Sequence, residues 1–135
     1  MIFLTVSVLA LSFPGCGKKE NTSDRTLRVG IVTYTQDDPF INTMTEQIRE
    51  DLKLKESKDM KILVSVKNGD NDQRDQDELV EEMIAAGCDV LCVNLVDRTA
   101  PSDIIKAARQ EKIPVIFFNR EPCLLYTSDA ADDLT

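Results

Sequence analysis

The 135-residue sequence contains no histidine and no tryptophan, and aromatic residues make up only 5% of the chain. Without histidine there is no usual general base, no usual zinc ligand and no Ser-His-Asp triad. Basic residues are also few, 16 against 24 acidic ones, so the net charge is -8 at pH 7. Such a chain is a poor partner for nucleic acid, whose phosphates attract basic surfaces. An enzyme built on it would need carboxylates, lysines or a bound cofactor.

Cysteine is scarce too, and the positions of the four cysteines argue against a disulfide. On an extended chain, Cys88 and Cys92 would be separated by roughly 13 Å, far beyond bridging distance. We therefore interpret both as small core residues.

The longest apolar run covers residues 1–13, too short to span a bilayer but typical of a secretory signal peptide. It ends in the string FPGC, which resembles a bacterial lipobox, and residues 17–25 are mostly polar, as in a flexible tether. We expect residues 1–16 to be a lipoprotein signal peptide with Cys16 as the lipidation site, which implies an extracytoplasmic protein anchored at the cell membrane. The alternative is an ordinary signal peptide with an incidental cysteine. Because no basic residue precedes Ile2, we expect the true start upstream of Met1.

The stretch LRVGIVTYTQDDPF, residues 27–40, predicts a strand buried on both faces that ends in a polar loop and leads into a helix at Pro39. Gly30 within it would allow a neighbouring backbone to approach. Ligands of open α/β sheets bind beyond the carboxyl ends of the strands. The candidate ligand contacts in this loop are therefore Tyr34, Asp37, Asp38 and Phe40.

An acid pair followed by an aromatic ring suits a sugar. Carboxylates accept hydrogen bonds from hydroxyl groups, and an aromatic ring can cover an apolar sugar face. The alternative is that Asp37 and Asp38 only cap the helix that begins at Pro39.

Helical and strand patterns alternate along the rest of the chain. After the helix over residues 39–55, they predict a strand over 60–67, a helix from a cap at Asn71 or Asp72 to Gly87, a strand over 90–94, a helix from Pro101 to Lys112, and a strand over 115–118. The order β-α-β-α-β-α-β predicts an α/β fold, a doubly wound and mostly parallel sheet with helices on both faces. Asn119, just after the last strand, should lie at the same edge as Asp38.

The acidic string NGDNDQRDQD, residues 68–77, could be mistaken for a calcium loop. Arg74 occupies a ligand position and Asp75 replaces the required glycine, so we reject a calcium site and predict no metal. We interpret the string as a turn followed by an acidic helix start.

The strings RVGIVTY..DDPF, NDQRDQ, GCDVLCVNLVD and IPVIFFNREP resemble the amino-terminal lobe of the periplasmic galactose/glucose-binding proteins of sugar ABC transporters, a type I periplasmic binding protein fold. The resemblance covers residues 26–122. It implies a monosaccharide ligand, galactose or glucose, a membrane permease as partner, no catalysis and no cofactor. It also implies sugar contacts from Asp38, Phe40 and Asn119. The resemblance gives no ligand role to three further matching positions, Asp37, Asn94 and Arg120. It leaves open whether a chemoreceptor also binds the protein.

The resembling proteins are roughly twice as long, and their second lobe supplies the other half of the sugar cleft and a calcium loop. We therefore expect this chain to be a fragment, with calcium only in the missing second lobe. Residues 123–135, CLLYTSDAADDLT, look like translated adaptor or vector sequence, so we expect a non-native tail; genuine divergence is the alternative.

Two other classes of function compete with sugar binding. The ligand core of a lactose-repressor-type regulator resembles this fold, but a regulator would need a basic helix-turn-helix where the apolar segment stands. A flavodoxin-like enzyme could use Asp37 and Asp38 as an acid/base pair, but no nucleophile, phosphate loop or GxGxxG motif accompanies them.

Overall fold

The computed structural model of the protein describes residues 25–123, which nearly coincide with the predicted lobe. The predicted signal peptide, the lipidation site Cys16 and residues 124–135 lie outside the described residues. Arg25 was expected to end the tether, but it is the first residue of a strand because its backbone N–H donates a 3.0 Å hydrogen bond to the carbonyl of Asp59.

The described residues form four strands and three helices, in the predicted order. These are β1 (Arg25–Thr33), α1 (Pro39–Lys53), β2 (Met60–Asn68), α2 (Gln73–Ala85), β3 (Val90–Val93), α3 (Ser102–Gln110) and β4 (Val115–Phe117). Among them, no helix has the length and apolar character needed to cross a membrane.

The four strands are parallel and lie side by side in the order β2-β1-β3-β4, which confirms the predicted sheet. The loop after β1 leads through α1 to β2, whereas the loop after β3 leads through α3 to β4 on the other side. The carboxyl ends of β1 and β3 are therefore the point at which the strand order reverses. This is where α/β sheets form a ligand crevice.

Two hydrophobic clusters, one on each face of the sheet, hold the helices in place. The cluster under α2 and α3 includes Val32, Val80, Met83, Leu91, Val93, Ile104 and Ala108. The cluster under α1 includes Val29, Ile31, Ile48, Leu52 and Ile62. Helices on both faces were predicted, and this arrangement confirms them.

Two glycines show how local sequence shapes the fold. Gly87 adopts a left-handed φ of 78° and ends α2, as predicted. Gly30 faces side chains instead of the neighbouring backbone that we expected. A Cβ atom there would lie 3.1 Å from Leu91 Cδ2 and 3.3 Å from Met83 Sδ, so a larger residue would require these side chains to shift by a few tenths of an ångström.

The observed helix caps decide which residue precedes α2 and move the predicted start of α3 by one residue. Asp72, not Asn71, caps α2, because its side chain accepts hydrogen bonds from the backbone N–H groups of Arg74 and Asp75. The predicted third helix begins at Ser102, with Pro101 in the cap position.

The cysteines that we assigned to the core are free thiols. Cys88 is buried and Cys92 packs against the cluster under α1. Burial raises the pKa of both thiols, so both stay protonated and act as small apolar residues.

Candidate functional site

Asp38 lies between β1 and α1 and caps the helix. Its Oδ1 atom accepts hydrogen bonds from the backbone N–H groups of Phe40 at 2.9 Å and Ile41 at 3.4 Å. Pro39 at the first helical position lacks an N–H group, so it leaves no donor without a partner. Asp38 therefore caps α1, and the cap occupies one of its two carboxylate oxygens.

The other oxygen, Oδ2, accepts a 2.6 Å hydrogen bond from the Tyr34 hydroxyl. This bond is the main reason why the pKa of Asp38 lies below its ordinary value; partial burial opposes it, and the N–H groups of Phe40 and Ile41 add to it. The same bond raises the pKa of the Tyr34 phenol. A carboxylate offers about four acceptor positions. The protein uses one on Oδ2, which leaves room there for a ligand hydroxyl.

The neighbours of Asp38 differ in exposure and role. Phe40 keeps 60% of its surface exposed, which leaves its ring accessible to a ligand. Asp37 is exposed as well, and its backbone N–H donates to Thr35 Oγ1 at 3.1 Å. The N-cap and first turn of α1 thus present a fixed carboxylate and an accessible ring.

Asn119 forms the second arm of the site. It lies two residues after the end of β4, is exposed, and adopts a left-handed φ of 58°. A 2.6 Å hydrogen bond from the Arg120 N–H to the Phe118 carbonyl closes a three-residue turn around it. Asparagine tolerates left-handed backbone better than most residues, and tight turns of this kind are rare and often functional.

The two arms stand apart but are connected. Because β3 lies between β1 and β4, they are separated by two strand spacings, roughly 10 Å. At the surface, the guanidinium carbon of Arg120 lies 4.5 Å from the ring centroid of Tyr34. Beneath it, the buried Asn94 donates from Nδ2 to the Phe118 carbonyl at 3.0 Å and accepts at Oδ1 from the Tyr34 N–H at 3.5 Å.

The loop after β3 is held by two glutamines at the start of α2. Gln73 Oε1 accepts from the Asp97 N–H at 2.7 Å, and Gln76 Oε1 accepts from the Val96 N–H at 3.0 Å. Asp97 in turn accepts from the hydroxyl and N–H of Thr99, and these two bonds lower its pKa. The base of the crevice is therefore a fixed polar loop.

The structure places the three predicted site residues at one edge of the sheet, with Asp38 and Phe40 on one arm and Asn119 on the other. Sequence reasoning missed the bond between Tyr34 and Asp38 and the contact of Arg120 with Tyr34. It also missed Gln76, although a signal was present, because this polar residue shares a helical stripe with the buried Val80 and Met83.

Comparisons with known proteins agree with this architecture. A sequence profile described as "Periplasmic binding protein domain" matches residues 29–133. The D-galactose/methyl-galactoside binding periplasmic protein MglB of Haemophilus influenzae is 34% identical over 95 residues, which cover 70% of this chain and 28% of the relative.

Two solved structures show the same fold. A carbohydrate transporter solute binding protein from Chloroflexus aurantiacus in complex with D-glucose is 29% identical, with a TM-score of 0.60 over 72% of this chain and 27% of that one. An ABC transporter periplasmic solute binding protein from Actinobacillus succinogenes with bound D-allose has a TM-score of 0.64 at 22% identity, over 78% of this chain and 36% of that one.

The chain spans less than two fifths of the length of each of these proteins. The profile match includes residues 123–133, part of the predicted non-native tail, whose origin stays a prediction. It also includes most of β1, all later elements and both arms of the candidate site. The chain therefore belongs to the family of proteins with a periplasmic binding protein domain.

Proposed function

We propose that this chain is the amino-terminal lobe of an extracytoplasmic, lipid-anchored solute-binding protein that delivers a hexose such as galactose or glucose to the membrane permease of an ABC transporter. The protein binds its ligand and does not convert it. The observation that carries this proposal is the Asp38 carboxylate, which is held at both oxygens, keeps an open acceptor position on Oδ2, and lies across the crevice from Asn119.

The chemistry of the two arms fits a sugar. The ionised Asp38 accepts strong, charge-assisted hydrogen bonds from hydroxyl groups, and the amide of Asn119 can both donate and accept. The exposed ring of Phe40 offers an apolar surface for the C–H groups of a pyranose. Beyond the carboxyl end of β3, the separation of roughly 10 Å between the two arms leaves space for one monosaccharide.

The choice of galactose or glucose is supported by the ligands named for the Haemophilus influenzae relative and the Chloroflexus aurantiacus protein. Asp38 and Asn119 recognise hydroxyl groups, which every hexose carries. We propose that the second lobe of the complete protein supplies the other wall of the cleft and selects among hexoses. A single lobe covers less of its ligand than a good site does, so this chain alone should bind sugar only in the millimolar range or weaker.

The test is calorimetric titration of the complete protein, recovered from the source DNA, with D-galactose and D-glucose. We expect Asp38→Ala to weaken binding roughly ten- to a hundredfold, because a hydrogen bond to a charged group is lost, and Asn119→Ala to weaken it less. Asp37→Ala is the matched control and should bind like the wild type. Unchanged affinity in both Asp38→Ala and Asn119→Ala would remove these residues from the site.

The lipid anchor is tested separately. In a bacterium with lipoprotein processing, the wild type should be found in the membrane fraction, and Cys16→Ser should be released or stay uncleaved. Acyl chains hold a protein at the membrane because each buried methylene contributes about 0.8 kcal/mol. Recovery of the wild type entirely in the soluble fraction would contradict the anchor.

A further inference from the structure

Tyr34 makes two contacts in different directions, and each reaches one arm of the candidate site. Its hydroxyl donates a 2.6 Å hydrogen bond to Asp38 Oδ2, and its ring lies 4.5 Å from the guanidinium carbon of Arg120, the residue after Asn119. We infer that Tyr34 is a positioning residue that fixes the Asp38 carboxylate for a ligand hydroxyl and links it to the segment carrying Asn119. The ligand part of this inference rests on the proposed function.

The hydroxyl of Tyr34 decides how the carboxylate of Asp38 is oriented. The cap bonds from Phe40 and Ile41 hold only Oδ1, so alone they would let the carboxylate plane rotate. The bond from Tyr34 holds Oδ2 as well, and the plane is then fixed. A fixed acceptor loses less conformational freedom when a ligand binds, which improves affinity without a new ligand contact.

The ring of Tyr34 serves the other arm. A guanidinium group over the face of a tyrosine ring is attracted to the π-electrons, so Arg120 has a preferred position on this ring. The backbone of Tyr34 is also tied to that arm, since Asn94 accepts from the Tyr34 N–H and donates to the Phe118 carbonyl. A surface contact and a buried contact therefore join the two arms, and both pass through Tyr34.

Two variants separate the roles of the hydroxyl and the ring. Tyr34→Phe removes the hydroxyl and keeps the ring, whereas Tyr34→Leu removes both. Tyr126 is the other tyrosine in the sequence, so Tyr126→Phe is a control with the same chemical change. Among residues 25–123, the titratable group bonded to the Asp38 carboxylate is the Tyr34 phenol, and Arg120 contacts the ring of that tyrosine.

The first measurement needs no ligand. In an NMR titration of the chain, Tyr34→Phe should raise the pKa of Asp38 towards its ordinary value, and Tyr126→Phe should leave it unchanged. Tyr34→Leu, but not Tyr34→Phe, should shift the backbone amide signals of Asn119 and Arg120. An unchanged pKa of Asp38 in Tyr34→Phe would overturn the inference, and it would do so even if Tyr34→Leu failed to fold.

The second measurement uses D-galactose and D-glucose with the complete protein. Tyr34→Phe should weaken binding roughly three- to tenfold, and it should have little further effect once Asp38 is alanine, because both changes act through one carboxylate. Equal weakening with and without the Asp38 carboxylate would overturn the inference. If the wild type bound neither sugar while the pKa of Asp38 still responded to Tyr34→Phe, the proposed function would fail and the link between Tyr34 and Asp38 would stand.

Discussion

Gln76 donates a 2.9 Å hydrogen bond from its side-chain Nε2 to the backbone carbonyl of Asn94, and both residues are fully buried. The Oε1 atom of Gln76 accepts from the Val96 N–H, so one side chain satisfies backbone groups on both sides of Leu95. The side chain of Asn94 continues the network to Tyr34 and Phe118. A line of amide groups thus runs from the interior of α2 to both arms of the site.

Gln76→Leu should destabilise the fold by about 2 to 4 kcal/mol. The substitution keeps the size of the side chain but leaves the buried Asn94 carbonyl and the partly buried Val96 N–H without these partners. Urea unfolding measures the change. The matched control is Gln47→Leu on α1, where the glutamine is exposed and bonds only Asp51 among the described residues; its effect should stay within about 0.5 kcal/mol. If both substitutions changed the free energy of unfolding equally, the buried hydrogen bonds of Gln76 would not contribute to the stability of the fold.

Thr45→Val should stabilise the protein by about 1 kcal/mol. Thr45 is 4% exposed, and its Oγ1 atom has no hydrogen-bond partner within residues 25–123, so its hydroxyl was removed from water without compensation. Valine has nearly the same shape. Thr43→Val is the control, since Thr43 is exposed and its hydroxyl donates to the Pro39 carbonyl at 2.8 Å. Thermal unfolding compares the two, and a less stable Thr45→Val would contradict the prediction.

Stability should fall at acidic pH, with a contribution from Asp38. A carboxyl group whose pKa is lower in the folded than in the unfolded state stabilises the fold above the unfolded pKa, and this stabilisation is lost as the pH falls through the folded pKa. For Asp38 the loss should begin near the ordinary pKa of 3.8 and continue below it. Urea unfolding between pH 2 and 7 gives the free energy of unfolding as a function of pH. The acid limb of this curve, its fall towards low pH, should be less steep for Asp38→Asn, because asparagine still caps a helix but does not titrate.

Asp37→Asn is the matched control for the loss of one negative charge at a neighbouring exposed position, and Asp38→Asn should show the weaker loss of stability at low pH of the two variants. An acid limb that is equally steep in Asp38→Asn would mean that the bonds of Asp38 to Tyr34, Phe40 and Ile41 do not stabilise the fold.

The exposed face of β4 should cause self-association when residues 17–135 are studied alone. β4 lies at one edge of the sheet, within residues 25–123 it pairs only with β3, and Ile116 is 54% exposed. Apolar edge strands with free backbone groups pair readily with other chains. Light scattering should show oligomers, and Ile116→Lys should reduce them. Leu54→Lys, at an 81% exposed position after α1, is the control. A monodisperse wild-type monomer would refute this prediction.

The order of elements was predictable from sequence because each element carries its own periodic pattern. The apolar stripe of α2 and the β-branched run of β2 are local features, and Gly87 marks the end of α2 by its need for a left-handed backbone. The ends of elements were less predictable. Arg25 joins β1 only because Asp59, far along the chain, supplies its hydrogen-bond acceptor.

The candidate site was predictable in outline but not in its connections. The cap at Asp38 was predictable because aspartate is favoured at the N-cap and proline at the first helical position. The bond from Tyr34 to Asp38 depends on the path of a non-repetitive loop, and the contact of Arg120 with Tyr34 joins residues from different strands. Such contacts depend on the tertiary fold, so no local sequence pattern predicts them.

The bond between Tyr34 and Asp38 makes the protein its own optical reporter. With no tryptophan and only two tyrosines in the sequence, fluorescence excited at wavelengths longer than the phenylalanine absorption band comes from Tyr34 and Tyr126. A carboxylate that accepts a hydrogen bond from a phenol quenches the fluorescence of that phenol. Any molecule that draws the Asp38 carboxylate away from Tyr34, or excludes water from it, should therefore change the brightness of a Tyr126→Phe protein, and occupancy of the crevice could be followed without a dye.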